Sequence, residues 1–157
     1  MSGVIHRVAH LVSRFIGQLD RRPPSAADEA WADTYLSEGE RSLWVRLGNG
    51  DRRHAIGVAR RALSIHPNST RAEIAGSLLH DIGKVDAPRS ALVRVWYVVS
   101  PSRNAQRYRD HEEVGADLLR SVGSDPVTVQ LVAGEGPRES RDALRQADDS
   151  GGLRDRP

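Results

Sequence analysis

Apolar residues in this chain recur at spacings of three and four, and that period constrains the fold more than any other feature. Val4, Val8, Leu11, Val12, Phe15, Ile16 and Leu19 make one stripe. Such a stripe lines one face of a helix and is out of step with the alternation a half-buried strand requires. Arg22-Pro23-Pro24-Ser25 breaks the run. After Ser25 the pattern predicts a helix carrying Trp31, Tyr35 and Leu36, then a short one holding Leu43, Trp44 and Leu47 that Gly48-Asn49-Gly50 stops. Asp51 is the expected N-cap of a longer helix through His54, Ile56, Val58, Ala59, Ala62, Leu63 and Ile65, closed by Pro67-Asn68.

Local capping chemistry marks the later helices. Thr70-Arg71-Ala72-Glu73 has the form of a capping box, in which hydroxyl and carboxylate each satisfy a free backbone N–H. The helix it opens carries Ile74, Ala75, Leu78 and Leu79 and is expected to reach His80-Asp81, with Gly83 as its stop. Ala91 to Val99 is rich in β-branched and aromatic residues, so propensity favours a strand. A lone strand in a helical chain has no partner, and a buried helix is expected there instead. Asp110-His111-Glu112-Glu113 again has capping-box form, with a helix to about Ser121 and Gly123 behind it. Asp125-Pro126 reads as an N-cap followed by proline at the first helical position, and a last helix is expected from about Arg138 to Asp148. The expected architecture is one all-α domain of about seven to nine helices. Residues 1–24 form an amphipathic helix and linker, 25–149 the domain, and 150–157 a disordered tail.

Composition bounds what such a domain does. The chain has 157 residues, the size of a single domain. It has no cysteine, which excludes a disulfide scaffold, a thiol nucleophile and thiolate metal sites. The formal net charge is +2, with arginines interleaved among acids rather than gathered on one face. A nucleic-acid partner is therefore not expected. The longest apolar stretch, Ala91 to Val99, is interrupted by Arg94 and is too short to span a membrane. The first nineteen residues contain His6, Arg7, His10 and Arg14 and so lack the apolar core of a signal peptide. A cytoplasmic location without a membrane partner is the expectation. The oligomeric state is not legible, because the stripe from Val4 to Leu19 suits either a core or a second copy.

Six histidines are available: His6, His10, His54, His66, His80 and His111. The densest chemistry lies in Leu78-Leu79-His80-Asp81-Ile82-Gly83-Lys84. An apolar helix there ends in an imidazole, a carboxylate, a glycine and the chain's only lysine. Adjacent nitrogen and oxygen donors at a finishing helix suit a hard-to-borderline divalent ion. Lys84 beside them suits a phosphate. Further ligands are on offer upstream at His54 and downstream at the end of Ala143-Leu144-Arg145-Gln146-Ala147-Asp148-Asp149. The resulting order is His, His-Asp, Asp.

That order resembles the HD superfamily of metal-dependent phosphohydrolases. The resemblance runs from about Trp31 to Asp149. It rests on Asp51-Arg52-Arg53-His54-Ala55, on the Leu78–Lys84 heptad, on Tyr108-Arg109-Asp110-His111-Glu112-Glu113-Val114-Gly115-Ala116, and on Ala143-Leu144 with Ala147-Asp148. It implies an all-α fold with His54, His80, Asp81 and Asp148 around one divalent ion, of which Mn, Fe, Co, Ni, Zn and Mg are all compatible. The ligand assignment to Asp148 over Asp149 follows the family's pattern, in which it directly follows Ala147. A second ion would use two further histidines. His111 matches the first, but Gly134-Glu135-Gly136 stands where the second would fall, so the candidate second-metal pair is His111 and Glu135. The chain lacks the Gly-Tyr-Pro triplet of the cyclic-di-GMP phosphodiesterase branch. It also lacks the Glu-Asp pair of the alarmone hydrolases.

The implied activity is hydrolysis of a nucleotide or another phosphorylated small molecule by metal-activated water. Asp81 and Lys84 are the candidate catalytic residues, and Lys84 with Arg53 the candidate phosphate contacts. The alternative is an HD-fold binding or regulatory module that keeps a metal without turnover. Plainer readings exist for single residues. His111 could simply occupy a first helical turn, and Lys84 could be a solvated helix-end cation. His6 and His10 have no third ligand nearby in sequence. His66 reads as a turn residue. Trp31, Tyr35 and Trp44 read as core rather than as a base-stacking platform.

Overall fold

In a computed structural model of the chain, the described residues are 22–86 and 101–151, with side chains described for 22–85 and 111–151. The expected helices at Val4–Leu19 and Ala91–Val99 and the tail beyond Gly151 lie outside them. Seven α-helices and one 3-10 turn make up the rest: α1 (Ala26–Asp33), α2 (Glu38–Trp44), α3 (Asn49–Ile65), α4 (Arg71–Leu78), the 3-10 turn (Ile82–Asp86), α5 (Pro101–Ser121), α6 (Pro126–Val132) and α7 (Arg138–Ser150). There is no strand among the described residues, and the fold is all-α.

Local chemistry sets most of the boundaries. The Ser25 hydroxyl accepts from the backbone N–H of Asp28 and starts α1. Ser37–Glu40 and Thr70–Glu73 are complete capping boxes at α2 and α4. The Asp125 carboxylate accepts from Val127 N–H at 2.8 Å, with Pro126 opening α6. α5 and α6 both end in Schellman turns. Ser124 N–H bonds to Leu119 carbonyl behind α5, and Glu135 N–H bonds to Gln130 carbonyl behind α6. Gly123 and Gly134 take the left-handed conformation that these turns need.

Several expected boundaries move. Gly48, not Asp51, caps α3, and Asp51 sits in its first turn. Gly48 does not end the preceding helix, since α2 stops at Trp44. Asp110 opens no helix, because α5 starts at Pro101 and runs straight through it. Proline suits a first turn, and Arg103 to Arg109 offers no breaker, so the capping-box letters at Asp110 fall mid-helix. α7 runs on through Ser150, so that residue is helical rather than part of a disordered tail.

The core gathers Leu36, Leu43, Trp44, Ile56, Ile74, Leu78, Leu79, Ile82, Leu119 and Val132. Trp44 is buried there and donates its indole N–H to Glu29. Trp31 and Tyr35 pack against the same core edge-to-face, 5.0 Å between ring centroids. The three aromatics are therefore packing elements. α4 lies at the centre, against α3 on one side and α6 on the other. A Cβ on Gly76 would stand 2.9 Å from Leu131, so glycine permits α4 and α6 to approach this closely. The buried Thr128 hydroxyl donates across the same contact to Ala72 carbonyl. α7 packs along α3, and α5 packs on the 3-10 turn and on α6. The end of α4, the 3-10 turn, the middle of α3 and the end of α7 thus converge.

Candidate metal centre

α4 finishes at Leu78, and Leu79 turns the chain out of the helix. Leu78 and Leu79 are wholly buried, so the His80-Asp81 pair that follows is held on a fixed base. His80 Nδ1 lies 2.9 Å from Ser77 carbonyl. A carbonyl only accepts, so Nδ1 carries a proton, and the tautomer with its lone pair on Nε2 is the one an ion could use. That Nε2 is buried and has no hydrogen-bond partner. A buried acceptor left in this state costs about 1–3 kcal/mol.

Three further side chains face the same nitrogen. Asp81 Oδ2 lies 3.5 Å from it and Asp148 Oδ1, on the last turn of α7, 4.0 Å. His54, on α3, brings its ring centroid to 5.8 Å from that of His80, and its Nε2 is 3.0 Å from Asp148 Oδ1. Donor atoms of His54, His80 and Asp81 all lie within 4.8 Å of one another. Ligand atoms about 2.1 Å from a shared ion stand roughly 3 Å apart at right angles and roughly 4.2 Å apart across it. The observed separations fall close to that range, and the orphaned His80 Nε2 is the atom such an ion would satisfy. The residues present fit a divalent cation. A set of two imidazoles and two carboxylates suits a transition metal or Mg²⁺.

Charge around Asp81 is balanced against burial. Burial pushes its pKa up, but the Lys84 ammonium and the imidazoles of His80 and His54 outweigh that and hold it well below the usual carboxylate range. Lys84 Nζ donates to Asp81 Oδ2 at 2.5 Å. The lysine thus reaches the pocket and is bonded to a candidate ligand. Two side-chain hydrogen bonds fix the neighbouring ends. Arg61 Nε donates to Ala147 carbonyl at 3.0 Å, immediately before Asp148. The Ser140 hydroxyl on α7 donates to the buried Glu73 carboxylate at the start of α4.

A cavity of about 330 Å³ opens over this cluster. His80, Asp81, Lys84, Asp148 and His111 line it, and so does the exposed Asp149. Two expected residues stand elsewhere. Glu135 sits on the exposed Schellman turn behind α6 and is not among the lining residues, because that turn leaves Gly134 facing the cavity. Arg53 directs its guanidinium to Arg22 carbonyl. His66 caps α3 as a turn residue. The lining also includes Glu112, Arg141 and Arg145, which the sequence reading passed over. A signal for two of them was present: Arg141, Arg145, Asp148 and Asp149 recur at the spacing of one helical face.

Among the described residues no helix is long and apolar enough to cross a membrane. A family model described as HD domain matches residues 52–154, well over half of the chain. The match opens two residues before His54 and closes beyond Asp148. Comparison with curated proteins and with solved structures finds no match.

Proposed function

The chain belongs to the HD-domain family, and from that premise we propose that it is a metal-dependent phosphohydrolase acting on a nucleotide or another small phosphate ester. The observation that carries the reading is the buried, unpartnered Nε2 of His80, aimed at Asp81 and Asp148 beside a cavity. His54, His80, Asp81 and Asp148 would hold the ion. When bound, it supplies Lewis acidity, lowering the pKa of water and polarising a phosphoryl oxygen.

The chain's own groups do the remaining work. The Ser77 carbonyl fixes the His80 tautomer and so presents Nε2. Asp81 stays ionised beside Lys84 and can accept a hydrogen bond from the attacking water, which orients it toward phosphorus. Lys84 offsets charge developing on the phosphoryl oxygens. Leu131, Val132 and Leu144 give the cavity an apolar wall, which strengthens these charge interactions.

The test is hydrolysis of a panel of nucleotides and phosphate esters with Mn²⁺, Mg²⁺ or Co²⁺. Metal-dependent turnover is expected, with Asp81→Ala lower by about a hundredfold or more. Full hydrolysis by Asp81→Ala of every substrate the parent cleaves would overturn the reading. One observation favours a second reading, a binding module without turnover: Glu135 is exposed and apart from the cavity, leaving His111 without the second ligand that a two-ion site would use. That reading expects added metal to raise the melting temperature while no member of the panel is cleaved.

A further inference from the structure

The wall of the cavity formed by α7 carries two guanidinium groups that the metal centre does not use. Arg141 and Arg145 are four residues apart and so share one face of the helix, the face that ends in Asp148. Arg141 is half-buried. One of its terminal nitrogens donates to Gly134 carbonyl at 3.3 Å, while its Nε is buried with no hydrogen-bond partner. Arg145 makes no ion pair among the described residues, although Asp142 and Asp149 lie on neighbouring turns. Asp142 is engaged by Arg138 instead. Other arginines here are tied into the fold, Arg41, Arg52, Arg60 and Arg120 by carboxylates and Arg61 and Arg71 by backbone carbonyls. These two line a cavity instead.

The charge of the cavity depends on the ion. With Asp81 and Asp148 committed to a divalent cation, Lys84, Arg141 and Arg145 stand against the carboxylates of Glu112 and Asp149. The balance then favours an anion, and planar guanidinium groups match phosphoryl oxygens better than an ammonium does. The volume, about 330 Å³, lies at the small end of ligand pockets and suits a metabolite rather than a polymer.

We propose that Arg141 and Arg145 form a specificity wall that binds a second phosphoryl group of the substrate, so that the preferred substrate is a small molecule carrying two phosphoryl groups, such as a nucleoside diphosphate. The wall rests on the phosphohydrolase reading for the first phosphoryl group. It touches the non-reacting end of the substrate and accordingly governs binding rather than the chemical step.

The experiment compares adenosine and guanosine mono- and diphosphates on the full-length chain in excess Mn²⁺. Dissociation constants are read by calorimetry, and kcat and KM wherever turnover occurs. At least one diphosphate is expected to bind about tenfold or more tightly than its monophosphate. Arg145→Gln and the double variant R141Q/R145Q should bring that ratio below about threefold and leave monophosphate binding within about twofold, with the kinetic effect in KM. Because Arg145 is exposed, its variant should melt with the parent, which separates lost binding from lost folding. The proposal is overturned if no diphosphate preference exists, an absence of binding included, or if the preference survives in R141Q/R145Q. Hydrolysis with an arginine-independent ratio would sink the wall and leave the enzyme. Arginine-dependent preference without hydrolysis of any phosphate ester would do the reverse.

Discussion

Replacing Gly83 by alanine tests how the His-Asp segment is held. Gly83 is buried in the 3-10 turn directly after Asp81 and Ile82, where α5 crosses it. A Cβ there would collide with the His111 carbonyl oxygen, and would stand 3.0 Å from both the His111 carbonyl carbon and the Gly115 nitrogen. All three atoms belong to helical backbone, so no flexible side chain can swing away. Either α5 withdraws or the turn unwinds. Overpacking of a core costs about 1–3 kcal/mol, and a collision with backbone belongs at the upper end, so about 3 kcal/mol is expected. Urea unfolding followed by far-UV circular dichroism reads this directly. With a slope of about 1.5–2 kcal/mol/M, the midpoint falls by about 1.5–2 M. Gly123→Ala is the control. Its Cβ would meet open space, but φ is +71°, so its cost is conformational, about 1–2 kcal/mol. A Gly83→Ala midpoint within experimental error of the parent would refute the close packing of α5 on the turn. The fixed placement of Asp81 and Lys84 would be refuted with it.

Three further outcomes are expected. Leu78→Ala removes a wholly buried side chain at the foot of the His-Asp pair and should cost about 2–5 kcal/mol in chemical denaturation. Glu73→Gln should cost about 1.5–3 kcal/mol at neutral pH, since the carboxylate serves both the Thr70 cap and Ser140 on α7. Burial raises the Glu73 pKa, but the Ser140 and Thr70 hydrogen bonds and His66 more than offset it, so the folded value lies below the ordinary 4.5. Its contribution is therefore full above about pH 4.5 and lost as pH falls through the folded value, so the gap between parent and variant should narrow as pH falls below 4.5. A gap unchanged from pH 7 to pH 3 would contradict that assignment. Asp148→Ala should weaken Mn²⁺ or Co²⁺ binding by about a hundredfold in calorimetry, whereas Asp149→Ala should change it by less than about threefold.

The sequence made the helices legible wherever their signals were local. Ser25, Thr70 with Glu73, and Asp125 with Pro126 carry their capping chemistry within three residues, and each sits where that chemistry places it. The same letters misled at Asp110, since a capping box says nothing about whether a helix already precedes it. Gly83 illustrates the limit in the other direction. It looks like a helix stop, yet its small size is demanded by α5, which begins eighteen residues later and is invisible to local reading. The site divides the same way. His54, His80, Asp81 and Asp148 are named by their order along the chain, and the fold brings them together. The directions of Arg53 and Glu135 depend on where Arg22 and the Schellman turn fall, and no spacing encodes that. The arginine face of α7 was encoded by spacing, but identifying its neighbour required the cavity.

The central claim is that four side chains converge on one divalent ion. The most direct measurement is metal content by elemental analysis, on tag-free protein purified without chelator and on the His80→Ala variant. About one transition-metal ion per chain in the parent, lost in the variant, is the predicted result. Parent protein that stays metal-free after soaking with Mn²⁺ or Co²⁺, or a His80→Ala protein that keeps its ion, would contradict it.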